Sequence, residues 1–197
     1  AMPDLGEMLA DAAMAAQRMA VIVKDLRLFS RVEAAPTTLV DVRSVLDRTA
    51  RIARNEILHR ARLTKHYEDV PLVPGDEGRL AQVFRNLMIN AAQSIPEGAA
   101  ATNEISIAVR QEPQGYVAIT VADSGCGMTA EVREHLFSPF FTTKSIGLGT
   151  GLGLSICQRI VMDLGGRIDV ESEVGKGTAF RVLLPIATPD VTPAGMR

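Results

Sequence analysis

Apolar residues recur along the chain with two periods, and each change of period marks a change of expected element. From Asp4 to Glu33 the residues Leu5, Met8, Ala12, Ala15, Met19, Ile22, Leu26 and Phe29 follow one another in steps of three and four. That spacing is the seam of two packed helices or the inner stripe of one helix lying on its own domain. Ala34 to Thr38 then reads as a linker, because Pro36 disfavours helix in the residue before it. A short strand near Thr38 to Val40 follows, and Asp41 predicts an N-cap for a helix running through Val42, Val45, Leu46, Ile52 and Ile57. Leu63 to Glu68 suits a strand, and Val70 to Gly75, with two prolines, suits a loop. Asp76 caps the next helix, whose buried face is Leu80, Val83, Phe84, Leu87, Met88 and Ala91; Pro96 and Gly98 end it.

Beyond that helix the period drops to two. Ile105 to Arg110 and Tyr116 to Ala122 alternate as a strand pair, and Thr129 caps a short helix to Leu136 with Glu131 in its first turn. An apolar-periodic helix from Leu154 to Leu164, entered near Gly151, stops at Gly165-Gly166, and Arg167 to Ser172 with Ala179 to Leu184 forms a last hairpin. Helices and strands alternate early and antiparallel pairs dominate late, which predicts a mixed α/β sheet with helices on one face. The proline-bearing tail from Thr188 is expected to fray.

With 197 residues and 47% hydrophobic content, the chain can bury a core for one ordinary domain plus an accessory element. A net charge of −2 makes no general electrostatic case for nucleic acid or an anionic membrane. No apolar run approaches the ~20 residues needed to span a bilayer, and no signal peptide opens the sequence, so a soluble cytosolic protein is expected. Cys126 and Cys157 form no disulfide framework, and three scattered histidines without a C-x-x-C make a zinc site improbable. Cys126 reads as a small filler rather than a nucleophile.

The chemistry concentrates between Asp123 and Leu154. Asp123 ends the alternating run Val117, Ile119, Val121 and precedes Gly125 and Gly127, which can take positive φ and let the backbone approach a flat ligand. A carboxylate only accepts hydrogen bonds, so its natural partner is an exocyclic amine such as that of adenine. Glycines 147, 149, 151 and 153 alternate with Leu148, Thr150, Leu152 and Leu154 and run straight into a helix, an arrangement that presents bare amides to an anion. Between them lies Phe137-Ser-Pro-Phe-Phe-Thr-Thr-Lys144, whose lysine either reaches a phosphate as a point charge or stays solvated on a glycine-rich loop. Phe140 and Phe141 serve either lid packing or plain core packing. Asn86 and Asn90, four apart, share a helix face.

These residues, with Arg85-Asn-Leu-Met-Ile-Asn-Ala-Ala92 as an asparagine box and Gly175-Lys-Gly-Thr178 as a last glycine box, resemble the ATP-binding domain of sensor histidine kinases. That family shares its superfamily with gyrase, the 90-kilodalton heat-shock chaperones and mismatch-repair ATPases. The resemblance implies a two-layer α/β sandwich with a Bergerat-type ATP site over 39–187. A linker at 34–38 and the second helix of a dimerisation and phosphoacceptor hairpin at 1–33 would precede it, and a tail at 188–197 would follow. By the same resemblance Asn90 is the Mg²⁺ ligand and, with Lys144, catalytic. The nucleotide contacts it implies are Asn86, Asn90, Asp123, Gly125, Gly127, Lys144, Gly149, Thr150, Gly151, Leu152, Gly153, Leu154 and Thr178.

ATP-hydrolysing relatives carry a glutamate four residues before the metal asparagine. Here that position is Asn86, which has no basic group to take a proton from water. None of His59, His66 and His135 is followed by an acidic residue, as the family's acceptor is. The implied reaction is therefore transfer of the γ-phosphoryl group of Mg-ATP to a histidine on a hairpin helix outside this sequence, then to a response-regulator receiver aspartate, in a homodimer built on the first helix. An anti-sigma-type serine/threonine kinase and a nucleotide-dependent interaction module without transfer activity are the alternatives on the same fold.

Overall fold

A computed structural model describes residues 6, 8, 9, 12, 13, 15, 16, 38–98, 100–144 and 149–187. Eleven elements follow from Thr38 onward among them: β1 (Thr38–Val40), α1 (Val42–Leu58), β2 (Arg62–Tyr67), β3 (Val73–Gly75), α2 (Glu77–Gln93), β4 (Glu104–Glu112), β5 (Tyr116–Asp123), α3 (Ala130–His135), α4 (Gly153–Asp163), β6 (Arg167–Glu173) and β7 (Gly177–Pro185).

The side-chain caps read from the sequence are in place. Asp41 accepts from the Arg43 N–H, Asp76 from the Arg79 N–H and Thr129 from the Val132 N–H. Each pairs one of the amide donors that a helix start leaves open. Asp76→Ala is expected to cost about 1 kcal/mol and lower Tm by roughly 2 to 4 °C, because the 2.7 Å bond to Arg79 holds the first turn of the central helix. Thermal unfolding followed by circular dichroism checks this, and an unchanged Tm would show the cap to be idle.

The main sheet has the order β2-β4-β5-β7-β6, with β2 parallel to β4 and every other pair antiparallel. Register places Ile107 opposite Val121, Val121 opposite Phe180, and Ile119 opposite Val182, so one face of the sheet is a continuous apolar surface. Against it pack the buried faces of α1, α2 and α4, with Phe84, Leu46, Leu80, Leu87 and Met88 fully buried between the layers. The fold is thus the two-layer, mainly antiparallel α/β sandwich expected.

Two local expectations are corrected. Val70 to Gly75 is not all loop: Val73–Gly75 forms β3, antiparallel to β1, with Pro74 opposite Leu39. The prolines mask it locally, and its partner strand lies more than thirty residues away. Ile52 is 73% exposed, because it lies at the edge of the stripe through Thr49, Ala50 and Ala53 that faces the core.

The described residues between 6 and 16 are helical and exposed. The rest of the stretch 1–37, including the seam residues Leu5, Met19, Ile22, Leu26 and Phe29, lies outside the described residues, as do Gly147, Leu148 and the tail from residue 188. Among the described residues no helix is long and apolar enough to cross a membrane.

Candidate functional site

A cavity of about 400 Å³ opens where the outer face of α2, the end of β5, α3, the segment 141–144, the glycine run before α4 and the start of β7 converge. Of the residues singled out in the sequence, Asn86, Asn90, Asp123, Gly127, Lys144, Gly149, Thr150, Gly151, Gly153, Leu154 and Thr178 line it. Gly125 and Leu152 do not: Gly125 is buried behind the Asp123 turn, and the Leu152 side chain is only 2% exposed.

Strand β5 delivers Asp123 to one end of the cavity. Its Oδ1 accepts the Ser94 hydroxyl at 2.9 Å and the Gly125 N–H at 2.8 Å. Burial pushes the carboxyl above the usual carboxylate range, while hydrogen bonds from the Gly125 N–H, Ser94 and the Thr178 N–H pull it back. The site therefore offers a partly desolvated acceptor, the environment in which an amine donor is recognised most strongly.

Helix α2 supplies the amides. Asn86 donates to the Gly153 carbonyl at 3.2 Å and so ties α2 to the first residue of α4. Asn90, one turn on, has its Oδ1 2.8 Å from the Lys144 ammonium, which also lies 2.5 Å from Gln93 Oε1. Burial lowers the lysine's proton affinity. Two neutral amide oxygens thus converge on one cationic group. This hard oxygen set fits a Mg²⁺ ion that draws its remaining ligands from phosphates and water. No cluster of three His, Cys, Asp or Glu suited to a metal occurs among the described residues.

The glycine run is shaped by close approach. Gly151, at φ +67°, accepts the Phe140 N–H at 2.9 Å, and a Cβ there would lie 2.4 Å from the Phe140 carbonyl carbon. Only glycine lets the two segments touch. Phe140 itself has φ +68° and is 65% exposed, whereas Phe141 lines the cavity and faces the His135 ring. Cys126 is exposed and lines the cavity too, which corrects its reading as a filler. The three histidines are exposed.

Sequence reasoning missed Gln93 and Ser94. The helical spacing that joined Asn86 to Asn90 extends to both, three and four residues beyond Asn90, and was the available signal.

Residues 75–188 match the family described as histidine kinase-, DNA gyrase B-, and HSP90-like ATPase. The chain is 38% identical over 181 residues to the sensor kinase CckA of Brucella abortus (strain 2308), covering 86% of this chain and 19% of that protein. It is 30% identical to the solved catalytic domain of histidine kinase ThkA, with a TM-score of 0.66 over 77% of this chain and 98% of that one. A structure of ThkA in complex with the response regulator protein TrrA is 25% identical, with a TM-score of 0.74 over 95% of this chain and 53% of that one. The chain spans less than two fifths of the length of the first curated relatives it matches.

Proposed function

Because the chain belongs to the histidine kinase-, DNA gyrase B-, and HSP90-like ATPase family, we propose that it is the ATP-binding catalytic domain of a two-component sensor histidine kinase. It transfers the γ-phosphoryl group of Mg-ATP to a histidine in an acceptor context that none of His59, His66 and His135 provides. The observation that carries this reading is the meeting, in one cavity, of a half-buried acceptor at Asp123 with the Asn90 amide and the Lys144 ammonium, while an amide stands at position 86.

In this reading Asp123 selects adenine by accepting from its exocyclic amine, and Gly127 and Thr178 border the base. Asn90 would hold Mg²⁺, which when bound neutralises phosphate charge. Lys144 leaves its amide partners to meet a phosphate oxygen. The backbone amides at the start of α4 face the phosphates, and Asn86 keeps that start in place through Gly153. Positioning and charge neutralisation are most of what phosphoryl transfer asks of a protein, and no base for water stands at position 86. ThkA's solved complex with a response regulator supports onward transfer to a receiver aspartate. Dimerisation through residues 1–33 and a cytosolic location complete the proposal.

Incubation with γ-labelled ATP tests it. The chain alone is expected to bind Mg-ATP yet neither label itself nor release phosphate beyond a trace. Adding a hairpin helix that carries an acceptor histidine should produce an acid-labile label, since that helix brings the nucleophile within reach. An acid-stable label on the chain alone would instead favour a serine/threonine kinase, and brisk phosphate release without label would favour a hydrolase.

A further inference from the structure

Ser94, the residue that ends α2, stands at the joint between the two halves of the site. Its Oγ lies 2.8 Å from the Ala91 carbonyl and 2.9 Å from Asp123 Oδ1. A hydroxyl carries one proton and can satisfy one of these acceptors at a time. The alternative donor to Ala91, the Ile95 N–H of a continuing helix, is turned to the Ala92 carbonyl instead. The Ser94 main chain is committed as well, its N–H to the Asn90 carbonyl at 3.0 Å and its carbonyl to the Cys126 N–H at 3.1 Å. Gly125 closes the other side: a Cβ there would lie 2.0 Å from Ser94 Oγ and 2.7 Å from its carbonyl oxygen.

Resting on the nucleotide-binding reading, we propose that Ser94 is a positioning residue for nucleotide recognition. Its hydroxyl pins the Asp123 carboxylate for the ligand's amine and joins the base-binding turn to the helix that carries Asn90. When the nucleotide's amine needs an acceptor, the Ser94 proton points to Asp123. If Asp123 takes up a proton, it goes on Oδ2, since Ser94 and the Gly125 N–H both donate to Oδ1, and the acceptor that faces the base is lost. The influences on Asp123 are burial, the Gly125 and Thr178 N–H groups and Ser94, with no charged side chain among them. Removing the hydroxyl removes a donor that favours the carboxylate, so the acid loss of binding moves to higher pH.

The test measures binding of the non-hydrolysable ATP analogue AMPPNP with Mg²⁺ by calorimetry across the acid range, on wild type, Ser94→Ala, Ser94→Cys and Ser94→Thr. Using one nucleotide throughout cancels its phosphate ionisation. At neutral pH Ser94→Ala is expected to weaken binding about tenfold or more, the worth of a hydrogen bond to a charged group. Its acid limb should begin at higher pH than that of wild type. Ser94→Cys, which nearly preserves volume while weakening the donor, should do the same if the alanine variant folds poorly, and Ser94→Thr should restore the wild-type limb. A wild type that binds AMPPNP, with the alanine and cysteine variants matching it in both affinity and acid limb, overturns the proposal and leaves the nucleotide reading standing. A wild type that does not bind AMPPNP overturns both.

Discussion

Asn90→Ala is expected to lower phosphoryl transfer to a histidine-bearing hairpin helix by roughly a hundredfold to a thousandfold, the effect of deleting one preorganised electrostatic contact to the reacting group. Adenosine binding should be nearly unchanged, because Asp123 lies on a different element and bonds to Ser94, Gly125 and Thr178 rather than to Asn90. The same substitution deprives the Lys144 ammonium of one of its two amide partners and leaves Gln93 as the other. Asn90 is only partly buried and caps no helix, so the fold should persist. The readouts are label transferred per minute with Mg²⁺ present and adenosine affinity by calorimetry. A variant that transfers at the wild-type rate would show that Asn90 is not the metal ligand.

For Asp123→Asn the expected loss is about 2 to 4 kcal/mol of ATP affinity, the cost of an opposed buried polar group added to a lost hydrogen bond. By the affinity scale that is roughly a thirtyfold to thousandfold weakening. The structure says why the amide cannot flip to escape the penalty. Ser94 Oγ and the Gly125 N–H both address Oδ1, so the asparagine's single oxygen stays there and its NH₂ replaces the other acceptor. Donor then faces donor at the base. The wild type should bind GTP poorly for the related reason that a carbonyl replaces the amine. The pH dependence follows the same group. Burial raises the Asp123 pKa, so wild-type binding weakens as pH falls through it, whereas the asparagine variant loses that part of the dependence. Calorimetric titration of both proteins checks the set, and equal ATP affinities would remove Asp123 from adenine recognition.

These two expectations rest on residues legible in the sequence, and the reason is that their signals are local. Asp123 ends an alternating strand before glycines, Asn86 and Asn90 fall one helical turn apart, and the glycine run abuts a helix start. Helix caps were legible for the same reason: Asp41, Asp76 and Thr129 each satisfy an amide two or three residues away. Strand alternation was equally local, and with it came the apolar face of the sheet.

What only the tertiary structure decided is which distant groups share an atom. Ser94 reaches Asp123 across 29 residues of chain, and Lys144 reaches Asn90 and Gln93 across 54 and 51. The β1–β3 pair joins Leu39 to a proline-bearing segment that no local rule would make a strand. Composition and period state what each segment can bury, and they carry no term for the partner that completes a hydrogen bond from another element. That term appears when the sheet register sets Asp123 beside Thr178 and the packing of α2 on the sheet brings Ser94 to the same carboxylate. The sequence by itself therefore determined the chemistry the site has available, and the packing of α2 against β5 decided how that chemistry is aimed.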